Sequence, residues 1–97
     1  MPENTVDVAA RKIPVRGLTR REVREFRNAG MDLNFFPPTK ADEVMDWVLL
    51  LGVCPGDATG HKESLEYLED IDNAESLKVF RRIMDLTFGR KVEEKNS

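Results

Sequence analysis

The chain has 97 residues, a length that supports one modest hydrophobic core and leaves no room for a second domain. Apolar residues make up 40% and charged residues 34%, which excludes an integral membrane protein and a wholly disordered chain. The apolar run Val48–Leu51 is far shorter than the roughly 20 residues that a membrane span requires. Because no basic and apolar leader opens the chain and Cys54 is its single cysteine, we expect an intracellular protein without a disulfide.

The net charge of -3 conceals an uneven distribution along the chain. Residues 1–30 contain seven Lys or Arg and four Asp or Glu, whereas residues 31–97 contain eight basic and fourteen acidic residues. The acidic two-thirds would repel a phosphate backbone, so the charge argues against nucleic-acid binding. Two interpretations stay open: solvated helix faces of opposite sign, or a polar surface for a protein partner, which includes a second copy of the chain.

The N-terminal segment alternates apolar and polar residues in two short stretches, which favours a β-hairpin over residues 5–16. Pro14 cannot donate a ladder hydrogen bond, so its strand must lie at an edge or leave that position unpaired. An isolated hairpin is only marginally stable in water, so this one would have to form against the helices that follow.

The first predicted helix, at about residues 20–29, has the clearest boundaries in the chain. Thr19 and Glu22 match the capping box, in which a hydroxyl and a carboxylate each bind a free N–H group at the helix start. Gly30 supplies a left-handed stop. Phe26 would face inward, whereas arginines cover much of the remaining surface (Arg20, Arg21, Arg24 and Arg27).

The next segment, residues 31–38, connects the first helix to a second one at about residues 40–51. Two prolines prevent a helix in the connector, and its apolar side chains are too many for a free linker, so they should pack on the fold (Met31, Leu33, Phe35 and Phe36). Thr39 is placed to cap the second helix. That helix is apolar on nearly all sides, so we expect it to be central.

The C-terminal half predicts a loop over residues 54–60, followed by two further helices. Asp72 or Asn73 is placed to cap the last helix, and Glu75 is the capping-box partner if Asp72 is the cap. The predicted fold class is therefore mainly α: a single domain over residues 1–89 with three to four helices and a short N-terminal hairpin, then a disordered charged tail. The last two helices and the tail lie at about residues 62–70, 74–88 and 90–97.

No motif in the chain points to catalysis, a cofactor or a metal. Cys54 and His61 are the only residues of their types, and we expect Cys54 to pack at a helix exit and His61 to lie exposed in the polar loop. Residues 56–62 have the wrong spacing for a phosphate-binding loop, and residues 70–81 lack the glycine and the final glutamate of a calcium loop. A core this small also leaves little room for an enzyme pocket.

These exclusions favour a role in protein binding. A helix-turn-helix would need a tight turn after Gly30, whereas eight residues ending in two prolines follow, and the next helix is acidic. Four aromatic residues would be anchors for a partner if they are exposed, and ordinary core packing is the other interpretation. The candidate binding residues are these aromatics and the arginines of the first helix: Phe35, Phe36, Trp47, Tyr67, Arg20, Arg24 and Arg27.

Two segments of the sequence resemble tail assembly chaperones of long-tailed bacteriophages and prophages. Val15–Arg27, followed by a glycine and an acidic connector, is similar to the opening of these proteins, and the closing segment Ser76–Gly89 with a short charged tail is similar to their end. The resemblance covers about residues 12–90, whereas residues 53–63 match no known pattern. It consists of capping and amphipathic patterns, so it transfers no set of binding residues.

The resemblance implies a non-enzymatic role in virion assembly in the host bacterial cytoplasm. Members of the family are thought to bind the long, helical tape measure protein and keep it soluble until tail tube subunits, the major tail protein, assemble around it. They are absent from the finished tail, and many are also made in a longer, frameshifted form. The alternative is a small helical regulatory adaptor or a DNA-associated factor that uses the arginine-rich first helix.

Overall fold

The computed structural model describes residues 4–89, which form a two-stranded antiparallel hairpin followed by four α-helices. The predicted fold class, mainly α with a short N-terminal hairpin, is confirmed. The predicted tail over residues 90–97 lies outside the described residues. In chain order the elements are β1 (Asn4–Val8), β2 (Arg11–Val15), α1 (Arg20–Asn28), a 3₁₀ helix (Pro38–Lys40), α2 (Ala41–Gly52), α3 (Ala58–Asp70) and α4 (Asn73–Thr87).

The hairpin forms because its inward side chains pack against α4. Both strands contact that helix, and the inward valine and isoleucine side chains are almost fully buried (Val8, Ile13 and Val15). The tight turn places Ala9 at a φ of 50°, in the left-handed region that an alanine rarely adopts. Glu75 Oε1 accepts a hydrogen bond from the Ala9 N–H at 3.2 Å, and the Tyr67 hydroxyl accepts one from the Ala10 N–H at 3.3 Å. The helices therefore hold the turn in this conformation.

The outer edge of β2 is occupied by the chain that leaves α2. Pro14 pairs with Thr5 inside the hairpin, and its carbonyl oxygen accepts a hydrogen bond from the Cys54 N–H at 2.8 Å. The Arg16 N–H donates to the carbonyl of Gly52 at 2.9 Å. β2, in which Pro14 has no N–H to donate, is therefore an edge strand of the two-stranded sheet, as a proline requires. The hydrogen bonds along its outer edge connect the hairpin to the end of α2.

The central element of the described chain is α4, which contacts both strands, α2 and α3. Val79 and Ile83 of α4 are completely buried. The expectation that α2 is central holds for one of its faces. Val44 and Val48 of α2 are also buried, but Leu50 on the same helix is 53% exposed. The helix is apolar on nearly all sides because it supplies both the core and a stretch of surface.

The helix caps are formed as predicted for α1 and differ for α2 and α4. Thr19 Oγ1 accepts from the Glu22 N–H at 3.2 Å, and Glu22 Oε1 accepts from the Thr19 N–H at 2.8 Å, which completes the capping box. Thr39 does not cap α2, because the 3₁₀ helix precedes α2 and puts Lys40 at the cap position. The Asp72 side chain makes no capping bond, and Glu75 binds the hairpin turn instead of closing a box.

The predicted loop over residues 54–60 is shorter than expected, because α3 begins at Ala58. Asp57 caps this helix by accepting a hydrogen bond from the Gly60 N–H at 2.9 Å, a local signal that the loop-like composition concealed. His61 is consequently half-buried inside α3 and not exposed in a loop.

The connector between α1 and α2 packs on the fold only in part. Leu33 is buried, and Met31 and Phe36 pack against the core from partly buried positions. Phe35 is 85% exposed, contrary to the expectation that all four apolar side chains pack. The Phe35 N–H donates to the Asp32 carbonyl at 3.0 Å, so the backbone turns at this point and directs the side chain outward.

Candidate partner-binding groove

A surface groove of about 970 Å³ lies between α2, α3 and the start of α4, and we name it the α2–α3 groove. Its apolar lining consists of Met31, Met45, Trp47, Leu49, Leu50, Leu65, Leu68 and Ile71. The remaining lining residues are four acids and two uncharged polar residues: Asp42, Glu43, Asp46, Glu69, Asn73 and Ser76. This space lies at the surface between helices and not inside the small core.

The groove exists because α2 and α3 carry more apolar side chains than the core can cover. Leu49 and Leu68 are buried, whereas Met45 and Leu65 are only half-buried and Leu50 is more than half exposed. An exposed apolar surface bordered by polar residues is typical of a site that binds another protein or a ligand. The uncovered apolar side chains make this groove the candidate binding surface of the described chain.

Trp47 joins the groove to the core of the protein. Its ring lies 4.1 Å from the ring of Phe26, centroid to centroid, at an interplanar angle of 32°. Phe26 comes from α1 and is completely buried. Packing on Phe26 of α1 therefore holds Trp47 in place while it lines the groove.

The structure brings only one of the seven predicted binding residues to the groove, namely Trp47. Phe36 packs against the core, and the Tyr67 hydroxyl, which also accepts from the hairpin turn, donates to the Val8 carbonyl at 3.3 Å. The guanidinium carbon of Arg11 lies 5.0 Å from the centre of the Tyr67 ring. Phe35 and the arginines of α1 are exposed away from the groove lining (Arg20, Arg24 and Arg27). As partner contacts, all seven stay predictions.

Sequence reasoning missed the residues that give the groove its apolar character. Leu50 is the clearest of them, and Met45 lies on the same helix, while Leu65 and Ile71 come from α3 and its end. The signal that could have found them is the excess of apolar residues on α2. A helix with solvent on one side needs only one apolar stripe, so a second apolar face indicates a surface that another molecule covers.

The shortest ion pair of the described residues lies outside the groove lining, at the start of α1. Arg16 Nη2 and Nη1 donate to Glu22 Oε2 and Oε1 at 2.8 and 3.0 Å. These bonds, and the further bond from the Thr19 N–H, hold the pKa of Glu22 below its ordinary value although burial opposes the shift. The carboxylate likewise raises the pKa of Arg16. This pair stabilises a helix start and leaves neither group free to bind a substrate.

Cys54 and His61 do not act on one another. The Cys54 thiol is buried, as predicted, and lies 3.2 Å from the Ser64 hydroxyl. His61 Nδ1 lies 3.0 Å from the Val53 carbonyl. Within residues 4–89 no group of three or more His, Cys, Asp or Glu side chains could hold a metal ion, and no helix there has the length and apolarity to cross a bilayer.

Compared with known proteins, the chain matches no family model, no curated protein and no solved structure. The function must therefore be argued from the residues, from the groove and from the resemblance that the sequence carries.

Proposed function

We propose that this protein is a tail assembly chaperone of a long-tailed bacteriophage or prophage. It acts in the host bacterial cytoplasm without catalysing a reaction, binds the tape measure protein and keeps it soluble while the tail tube assembles, and is absent from the finished tail. The observation that carries the proposal is the α2–α3 groove, an apolar surface on a small charged protein. The resemblance of Val15–Arg27 and Ser76–Gly89 to this family supplies the identity of the partner.

The groove supports a chaperone because of the kind of contact that it offers. A long helical partner exposes apolar stripes that would aggregate before the tube covers them. Leu50 and Met45 present apolar surface that can pack against many partner sequences, and methionine adapts its shape to different neighbours. Many such weak contacts along one partner combine into firm but reversible binding. The major tail protein and a second copy of the chaperone are further proposed partners.

Co-expression with an apolar fragment of the tape measure protein from the same phage tests the proposal. The wild-type chain is expected to raise the soluble fraction of the fragment severalfold. Leu50→Glu places a charge on the groove and should abolish that increase. Thr59→Glu adds the same charge at an exposed position in the first turn of α3, outside the groove lining, and should leave the increase unchanged. A fragment that stays insoluble beside the wild-type chain would contradict the proposal.

The second candidate is a DNA-associated factor or regulatory adaptor that uses α1. It is favoured by four exposed arginines on one short helix (Arg20, Arg21, Arg24 and Arg27). Binding to duplex DNA through them would weaken steeply with salt, with a slope of log affinity on log salt of about -0.9 for each phosphate contact. A steep slope that Arg20→Ala with Arg24→Ala reduces would favour this candidate over the chaperone.

A further inference from the structure

The rim of the α2–α3 groove is negatively charged, and the packing of the apolar groove floor does not require that charge. Asp42, Glu43 and Asp46 line it from α2, and Glu69 lines it from α3. No lysine or arginine of the described chain lines the groove. Glu43 lies 3.8 Å from the ammonium group of Lys40, so one of the four charges is partly neutralised. The other three make no ion pair within residues 4–89.

The fold explains only part of this acidic rim. Asp42 and Glu43 lie in the first turn of α2, where the helix dipole favours negative charge. Asp46 lies one turn further, four residues from Asp42, where two like charges repel one another. Glu69 lies in the last turn of α3, where the dipole disfavours an acid, and that turn has no basic residue. Asp46 and Glu69 therefore cost the isolated chain stability, which is expected of side chains that serve a partner.

The walls of the groove determine the backbone conformation of the occupant. They are formed mainly by side chains of α2 and α3, and in the middle turns of these helices the backbone N–H and C=O groups are bonded within the helix. A peptide that binds by adding a strand needs a row of free backbone groups on the surface that it joins, and these turns offer none. A helix satisfies its own backbone groups, so it can bury an apolar stripe here without leaving polar atoms unbonded.

We propose that the occupant of the α2–α3 groove is a basic amphipathic helix, in which lysines or arginines flank the apolar stripe on both sides. The stripe covers the floor around Leu50, while the long side chains of the flanking cations lie along the apolar surface and bring their charges to Asp46 and Glu69. This inference rests on the proposed function, since both use the same groove. It assigns the charge pattern of the tape measure segment that is bound.

Two synthetic helical peptides test the proposal. They share one apolar stripe and contain no tryptophan, and they differ only in that lysine or glutamate flanks the stripe. Trp47 is the single tryptophan of the chain and lines the groove, so its fluorescence reports binding directly. Three exposed charge pairs, each worth a small factor, predict that the lysine peptide binds about tenfold more tightly at low salt. The preference should shrink as salt screens the charges.

A pair of double variants identifies the residues responsible. Asp46→Asn with Glu69→Gln should reduce the preference for the lysine peptide to about threefold or less, since it removes two of the three free rim charges. Glu63→Gln with Glu66→Gln removes the same charge from exposed positions of α3 outside the groove lining, and should leave the tenfold preference unchanged. All four substitutions are at exposed positions, and circular dichroism of each variant checks that the fold is retained.

The failure of this inference is distinguishable from that of the proposed function. Equal binding of the two peptides, binding of neither, or a preference that survives Asp46→Asn with Glu69→Gln would overturn the basic helix as the occupant. In each of those cases the solubility of the tape measure fragment still decides the chaperone role. If the lysine peptide binds as expected and the fragment stays insoluble, the groove binds basic helices and the chaperone role is wrong.

Discussion

The hairpin end of the molecule, residues 4–22, and the α2–α3 groove use their polar and apolar groups in opposite ways. At the hairpin end the inward side chains are buried, and polar groups bond to distant parts of the chain, as the Leu18 N–H does to Thr87 Oγ1 at 2.9 Å. In the groove Leu50 is exposed, and Asp46 has no ion-pair partner in the described chain. The polar and apolar groups of the first region are satisfied within the chain, whereas the second region leaves apolar and acidic side chains exposed.

The largest expected effect on the free energy of unfolding distinguishes a buried core residue of α1 from an exposed residue of the connector between α1 and α2. Phe26→Ala removes a completely buried ring that stacks on Trp47 and should lower the free energy of unfolding by about 3–5 kcal/mol. Phe35→Ala makes the same change at a side chain that is 85% exposed and should alter it by less than about 0.5 kcal/mol. Urea denaturation of the two variants measures both values. Similar losses would show that the connector packs where the structure leaves it open.

A smaller effect compares the two threonines that the sequence places before helices. Thr19→Ala removes a side-chain acceptor that caps α1 and should destabilise the protein by about 1 kcal/mol. Thr39→Ala removes a side chain with no capping bond and should change the unfolding free energy by less than about 0.5 kcal/mol. Thermal unfolding distinguishes them, and an equal cost at both positions would mean that Thr39 caps α2 after all.

The smallest expected effect on stability depends on pH. The pKa of Glu22 is lowered in the folded protein, so its contribution is fully present above the unfolded value of about 4.5 and is lost as the pH falls through the folded value. Glu22→Gln removes that contribution, which is below about 1 kcal/mol because Arg16 is partly exposed and solvent screens the pair. The two unfolding curves should therefore differ at neutral pH and converge on acidification.

Glu75 adds a second acid dependence to the stability of the protein, separate from that of Glu22. Its pKa is also lowered, by Lys78 first and by the Ala9 N–H second, so part of the acid dependence persists in Glu22→Gln. Unfolding free energies of both proteins between pH 7 and pH 3 provide the measurement. A difference that stays constant across this range would show that Glu22 acts through its shape and not through its charge.

Local chemistry made the scaffold predictable from the sequence. The capping box at Thr19 depends on residues three apart, and the hairpin depends on alternation over a few positions, so both can be read without knowledge of the rest of the fold. The composition places the start of α3 too late, because glycine and threonine in its first turn resemble a loop, although the Asp57 cap that fixes this start is a local signal.

The groove could not be predicted because it depends on how distant elements pack. The sequence shows that α2 is apolar on nearly all sides, but it does not show that α4 takes the central position and leaves Leu50 in solvent. Tyr67 illustrates the same limit, since its bonds to Val8 and Ala10 join residues more than fifty positions apart. Aromatic side chains suggested anchors for a partner, whereas seven of the eight apolar residues that line the groove are aliphatic or methionine.

The α2–α3 groove is the proposed partner-binding surface. Amide chemical shifts of the isotope-labelled chain, recorded during titration with a soluble apolar helical fragment of the tape measure protein, locate the surface that binds it. We expect the shifts to change around Met45, Leu50 and Leu65, while those of Arg20 and Arg24 stay unchanged. Changes confined to α1, or none at saturating fragment, would contradict it.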